Sequence, residues 1–258
     1  MIRLVEKEGV QRLLTACAGH PAGGRIYSAL QAYGTEARFA EFWWQEREDE
    51  ITGAISKISG DVTYLLFRED KEAREEMETF VTMLYGVRSV FTTYATSPAV
   101  ESSPEMTCGI TLRGENFPAM ENSVAVEPLT QAGELYRFLC HSGEEALAMP
   151  MDDVAYADVS HRMRHGLLRG KGIRSEGGDL LACAVTTAES PKLAVIGGVY
   201  CRTEYRGQGY ATALVQALGR ELQAEGKQVL VFSYPGVEEF YRRQGFCDAG
   251  GWSLLTVK

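Results

Sequence analysis

No uninterrupted apolar run in this chain approaches the ~20 residues needed to cross a bilayer. The opening residues, MIRLVEKE, lack the apolar core of a secretory leader. No membrane partner is expected, and the cytoplasm is the expected compartment. Paired cysteine motifs are missing as well. Cys17, Cys108, Cys140, Cys183, Cys201 and Cys247 are scattered with no C-x-x-C, which argues against a disulfide framework and for free, buried thiols in a reducing environment. Basic residues are in the minority: 26 Lys and Arg face 35 Asp and Glu, a formal charge of -9. That balance disfavours nucleic acid as a partner, because phosphate contacts rest on Lys and Arg. Two phosphate-binding signatures are absent too. No run of Gly, four residues and Gly-Lys-Ser/Thr exists, and a dinucleotide fingerprint fails because Thr212 stands where its third Gly belongs and the acid expected about twenty positions on is replaced by Lys227 to Phe232.

What is present is the balance of a globular protein able to bury a real core: 258 residues, 45% apolar and 24% charged. The length is comfortable for two domains. Residues 1 to 120 carry 12 basic and 18 acidic side chains, residues 121 to 258 carry 14 and 17, so the acid excess lies mostly in the first half.

Hydrophobic periodicity orders the chain. Ile2 to Val5 reads as a strand, Val10 to Cys17 and Ile26 to Tyr33 as helices, with Gly34 as a stop. Ala37 to Gln45, Ile51 to Ile58 and Asp61 to Phe67 read as an antiparallel meander. Asp70 to Leu84 is an acid-opened helix, and Val87 to Thr92 and Cys108 to Leu112 are strands. Ala95 to Asn122 is rich in Ser, Pro, Thr and Gly, which places a domain boundary near 115 to 122. The order then restarts: Ser123 to Val126 (strand), Gln131 to Cys140 and Asp152 to Leu168 (helices), Gly172 to Ser175 and Leu180 to Thr187 (strands).

The stretch from Val195 to Ala224 organises the second half. A β-type run (Val195, Ile196, Val199, Tyr200, Cys201) meets a polar turn (Arg206 to Gly209). A helix follows, with Ala211, Leu214, Val215, Leu218 and Leu222 on one stripe and Gly226 as its stop. Gly207 and Gly209 can take backbone angles that other residues resist. The unpaired NH groups of the helix's first turn, helped by the helix dipole, can then converge on an anion such as a pyrophosphate. Gln228 to Ser233 is an apolar strand, Val237 to Gln244 a short helix capped by Gly245 and Phe246, and Trp252 to Val257 a closing strand.

Arg206, Gly209 and Ala211 match motif A of the GNAT superfamily of acyl-coenzyme A N-acyltransferases, Arg/Gln-x-x-Gly-x-Gly/Ala. Phe240 to Phe246 (FYRRQGF) is similar to its motif B, Leu-Tyr, three residues, Gly-Phe. The resemblance covers roughly residues 123 to 258. It implies an α+β tandem GNAT-like fold with mixed, mostly antiparallel sheets flanked by helices. Residues 1 to 118 would be a degenerate copy, with acids instead of glycines at Phe67 to Asp70, and residues 119 to 258 the catalytic domain. By residue-wise match, backbone groups of Val199, Tyr200 and Cys201 on a bulged, splayed strand would take the pantetheine arm. The loop amides of Arg206, Gly207, Gln208, Gly209, Tyr210 and Ala211 would hold the pyrophosphate. Tyr241 would be the general acid for the departing thiolate. A phenol, with an ordinary pKa near 10, is protonated at neutral pH and can donate.

The resemblance further implies acetyl-CoA or another short acyl-CoA as co-substrate, no metal, and a small-molecule amine acceptor, with an amino acid suggested by similarity to glycine N-acyltransferases. A monomer or homodimer is expected. The chain departs from the family at two places. Thr203 replaces a common Pro, and Ser233 to Gly236 stand where motif B usually offers an Asn. No Glu or Asp lies on Leu180 to Thr187, Val195 to Cys201 or Val229 to Ser233, so no general base is assigned, with Glu204 and Asp179 as candidates. Those gaps motivate an alternative, a weakly catalytic or non-catalytic acyl-CoA-binding regulator. His161 and His165, four apart with Arg162, Met163 and Arg164 between them, read as a basic helix face rather than a metal site. Cys201 and the Trp43-Trp44 pair read as core.

Overall fold

A computed structural model describes residues 1–68, 70–93, 105–118, 124–141 and 153–256. Ser123, Asp152 and Val257, termini of expected elements, lie outside the described residues.

The first half runs β1 (Ile2–Leu4), α1 (Val10–Cys17), α2 (Gly23–Tyr33), β2 (Ala40–Arg47), β3 (Glu50–Ile58), β4 (Asp61–Leu66), α3 (Lys71–Met83), β5 (Ser89–Thr92) and β6 (Glu105–Gly114). The second repeats that order with one helix added, α7, as β7 (Glu127–Leu129), α4 (Ala132–Cys140), α5 (Asp153–Arg164), β8 (Gly170–Arg174), β9 (Leu180–Glu189), β10 (Leu193–Cys201), α6 (Tyr210–Ala224), β11 (Gln228–Ser233), α7 (Glu238–Arg242) and β12 (Phe246–Thr256). Local chemistry sets the termini. The Asp70 carboxylate accepts from the Ala73 amide at 2.9 Å, capping α3, and Gly34 and Gly245 end their segments at φ +63° and +88°.

The strands form one sheet in the order β1-β2-β3-β4-β5-β12-β6-β11-β10-β9-β8-β7. Pairing is antiparallel except at β4-β5 and β10-β11. The last strand of each half is exchanged across the centre: β12 pairs with β5 of the first half, and β6 pairs with β11 of the second. The two exchanged strands also pair with each other from Phe246↔Gly114 to Thr256↔Glu105. A cut at 118/119 thus falls between elements in the chain while the sheet continues across it.

Several boundaries differ from the periodicity: β6, expected over Cys108 to Leu112, runs Glu105–Gly114 along β11 and β12, and α2 starts at Gly23 rather than Ile26. The strand expected over 123 to 126 lies at β7 instead, where Leu129 reaches the core. Helix α5 ends at Arg164 because Gly166 turns to φ +68° and the amides of Leu167 and Leu168 fold back on the Arg162 carbonyl. Strand β12 begins six residues early, since β6 templates the weak segment Cys247 to Gly251 around a bulge. The thiols are free as expected, but only Cys17 and Cys183 are buried, and Cys108 and Cys247, on the exchanged strands, are exposed. Trp43 and Trp44 are core.

Helix α6 lies on one face of the second-half strands, its Leu214, Val215, Leu218 and Leu222 packed against Ala182, Ala184, Ile196, Val229 and Val231. On the other face, α4 and α5 cover β8 and β9 through Leu135, Leu139 and Val159. Helix α2 of the first half reaches across, with Gly24 against Leu193 of β10.

Candidate active site

The site grows from an irregularity in β10. Opposite β9 its register steps from Gly197↔Val185 to Tyr200↔Cys183, one residue more on β10 than on β9. This bulge is centred on Gly198 at φ +52°, an angle that favours glycine. On its other edge β10 pairs with β11 only over Leu193 to Val195. Beyond that point the two parallel strands diverge, so the backbone of Gly197 to Cys201 is free of the β11 ladder. The expected bulge and splay are present.

Past the end of β10 a single 3-10 turn, Thr203–Tyr205, leads to Arg206, whose Nε donates to the Cys201 carbonyl at 3.2 Å. Gly207 and Gly209 follow at φ +76° and +79°. None of the amides from Gly207 to Thr212 donates to a protein acceptor among the described residues. A Cβ built on either glycine would meet nothing within 4 Å, so their presence answers to backbone angle and leaves open space over the loop. Six unpaired donors at the positive end of a fifteen-residue helix suit a pyrophosphate.

Tyr241, on α7, is 8% exposed. Its ring lies edge-on to Phe240 and Phe246, at 5.0 and 5.7 Å between centroids. Burial pushes its pKa up to about 12, so the phenol is protonated at any physiological pH. One cluster joins Tyr241 to Val199, Cys201 and Tyr210, all from the strand and loop just described. The Tyr200 ring instead lies on the opposite face, 5.2 Å from Phe138. The Cys201 thiol is pushed up by burial, against a smaller pull from Arg206, so it is a poor nucleophile.

Periodicity gave no sign of a polar tie that holds these parts together. Gln216 Nε2 donates to the Gln244 carbonyl at 2.9 Å, and Gln244 Nε2 to Thr212 Oγ1 at 3.1 Å. The tie fixes the end of α7, and with it Tyr241, to the first turn of α6. Gln216 sits in the buried stripe of α6, and its partner is 28 residues away, so sequence spacing cannot reveal it.

Other expectations are settled by contacts. Glu189, at the end of β9, is the carboxylate on the three central strands, just beyond the Thr187 limit expected from sequence. Burial raises its pKa, but hydrogen bonds from Arg169 and Lys227 outweigh that and hold it low. It is therefore spoken for as a structural ion. His161 is not on a solvated face: its Nε2 lies 2.8 Å from the Ala32 carbonyl and its ring stacks on Tyr33, which joins α5 to α2. No group of metal-ligating side chains occurs among the described residues.

Residues 134–246 match the acetyltransferase (GNAT) family profile. No curated protein matches the chain. Solved structures resemble it along its whole length. A Drosophila protein shares 12% identity at a TM-score of 0.74, over 99% of this chain and 98% of its own. A tandem GNAT protein from the clavulanic acid biosynthesis pathway shares 15% at 0.62, over 100% and 98%. A GNAT-family acetyltransferase from Colwellia psychrerythraea shares 14% at 0.61, over 100% of both. At such identities the likeness is one of fold, and it extends the GNAT architecture over both halves. Profile, bulged strand and glycine loop coincide within residues 134–246, the part of the chain that is similar to the acetyltransferase (GNAT) family.

Proposed function

We propose that the chain is an acyl-coenzyme A-dependent N-acyltransferase. It would move an acetyl or other short acyl group from acetyl-CoA to the primary amine of a small molecule or amino acid, by direct attack in a ternary complex. The observation that carries this reading is the joint geometry of β10 and α6: a strand splayed from β11 just before a loop of unpaired amides. Coenzyme A supplies the acyl group as a thioester. The amides of Gly207 to Ala211 bind the pyrophosphate; that of Arg206, expected among them, is taken by the Thr203 carbonyl at 3.3 Å. The backbone of Val199 to Cys201, off the β11 ladder, pairs with the pantetheine arm. Holding donor and amine in register is itself a large part of the rate, about 7 to 11 kcal/mol in well-oriented cases. Tyr241 holds a proton for the departing thiolate. The domain assignment that goes with this reading is 1–118 as a degenerate GNAT-like copy and 119–258 as the catalytic domain.

One observation favours a second reading. Glu189, the carboxylate on β9 to β11, is held by Arg169 and Lys227, which leaves no free acid on those strands to take the amine's proton. An acyl-CoA-binding regulator with little turnover would tolerate that. Calorimetric titration of acetyl-CoA into the protein and into a Gly209→Asp variant tests both readings. Saturable binding that the variant loses supports the site. An amine screen with Tyr241→Phe as control then separates enzyme from regulator, and a folded native protein that binds no acyl donor sinks both.

A further inference from the structure

We propose that the amine acceptor carries a carboxylate and that Arg25, contributed by the first half of the chain, binds it. This deepens the acyltransferase reading and rests on it.

The face of the sheet opposite α6 is the one that borders the point where β10 leaves β11. There β10 presents Leu193 and Val195, and β11 presents Leu230, Phe232 and, just past its end, Tyr234. Arg25 of α2 follows directly on Gly24, which packs against Leu193. The Arg25 guanidinium lies over the Phe91 ring at 4.3 Å, and its Nε donates to Thr63 Oγ1 at 3.3 Å. Phe91 in turn meets Phe232 at 4.9 Å and Trp252 at 5.9 Å, and Trp252 meets Tyr234 at 5.0 Å. Strands of both halves thus build one aromatic wall. It runs from beneath Arg25 to the exit of β11, where β10 has already left the ladder.

Arg25 has no ion pair among the described residues, although only part of its surface meets solvent. Three acids of the region have other partners among the described residues. Asp61 pairs with Arg88 at 2.9 Å. Asp158 accepts from the Tyr33 hydroxyl and pairs with Arg162 at 3.8 Å. Glu189 is held by Arg169 and Lys227. The second arginine of the region, Arg162, is satisfied by the Thr187 carbonyl at 2.5 Å and by Asp158. Arg25 is left as a desolvated cation with no ion pair among the described residues and only the attraction of Asp61, which Arg88 holds, an arrangement that costs stability until an anion arrives. A guanidinium on a flat aromatic support presents a planar fork, which matches a carboxylate in bidentate fashion. The bland alternative is a brace in which the cation–π contact with Phe91 is the whole role.

The test uses the full chain, with thioester consumption followed at saturating acetyl-CoA. Acceptors are the twenty common α-amino acids, β-alanine and 4-aminobutyrate, each set against its carboxamide. The proposal expects at least one acid to exceed its amide in kcat/KM by about 10- to 100-fold, the scale of a lost charge-assisted pair. In Arg25→Met that preference collapses through the KM of the acid, while the KM of acetyl-CoA is unchanged. Arg25→Lys, which keeps the charge and loses the fork, retains part of it. Retained calorimetric binding of acetyl-CoA shows that each variant is folded. Equal turnover of acids and amides, or a preference that survives in Arg25→Met, overturns the proposal and leaves the brace. Should acetyl-CoA bind and no amine react, the transferase reading fails separately. The carboxylate site is then read by calorimetry with the N-acetyl derivatives of the same acids in the presence of coenzyme A: saturable binding lost in Arg25→Met supports it, and no binding refutes it.

Discussion

Tyr241 shows how a single residue's environment decides its chemistry. Its neutral phenol is stabilised by the apolar cluster around it, with a pKa of about 12. The folded value lies above the unfolded value of ~10, so this contribution is present in full below pH 10 and is lost as pH rises toward 12. Thermal melts at pH 9, 10 and 11 should therefore show native protein losing stability faster than Tyr241→Phe above pH 10. The activity of the native enzyme should show no falling limb from Tyr241 ionisation between pH 7 and 10. Tyr241→Phe should retain acetyl-CoA affinity and lose about 100-fold or more in kcat, the usual scale of general-acid catalysis. The proposed role was suggested by the motif FYRRQGF. The burial that sets its pKa was not, because Phe246 and the stripe of α6 are brought to it by packing.

At the scale of elements, β10 and its neighbours carry the design. Gly198 holds a left-handed angle within the bulge, and a Cβ there would lie 2.9 Å from Val185 Cγ2. Gly198→Val should cost on the order of 1 to 3 kcal/mol and weaken acetyl-CoA binding by straightening the strand, read by denaturation and calorimetry together. A second feature fastens β8, β9 and α6: Arg169 binds Glu189, Glu221 and Glu225, and Lys227 joins Glu189 and Glu225. Arg169 and Lys227 hold Glu225 down at about 2, below its unfolded value. Its stabilising share is present above pH ~4.5 and is lost as pH falls toward 2. An acid titration monitored by tryptophan fluorescence should accordingly show earlier unfolding at higher pH in Arg169→Met than in the native protein, or no dependence if the cluster is incidental. The strand, the helix and the glycine turn between them were all readable from apolar periodicity. The ion cluster was not, since its members are spread from Arg169 to Lys227 and meet only when β8, β9 and α6 pack.

For the whole molecule, the exchanged strands have the largest consequence. The central pair β12-β6 joins β5 to β11, so neither half owns a complete sheet. Residues 119–258 expressed alone lack β6 and expose the edges of β11 and β12, an invitation to aggregation. Such a fragment should be insoluble or unfolded by size exclusion and circular dichroism, and co-expression with residues 1–118 should restore it. The intact chain should melt in one transition. Two separate transitions, or a folded and active fragment, would show that the halves are independent.

The sequence by itself determined the element types, their repeated order in the two halves, and the loop from Arg206 to Ala211, because each depends on local periodicity, capping and glycine placement. Tertiary structure alone decided which strands lie side by side. The exchange of β6 and β12, the early start of β12, the Gln216–Gln244–Thr212 tie and the approach of Arg25 to the exit of β11 are contacts between residues far apart in the chain. Their energies come from pairing and burial that exist only once the sheet has closed, and no spacing along the chain encodes them.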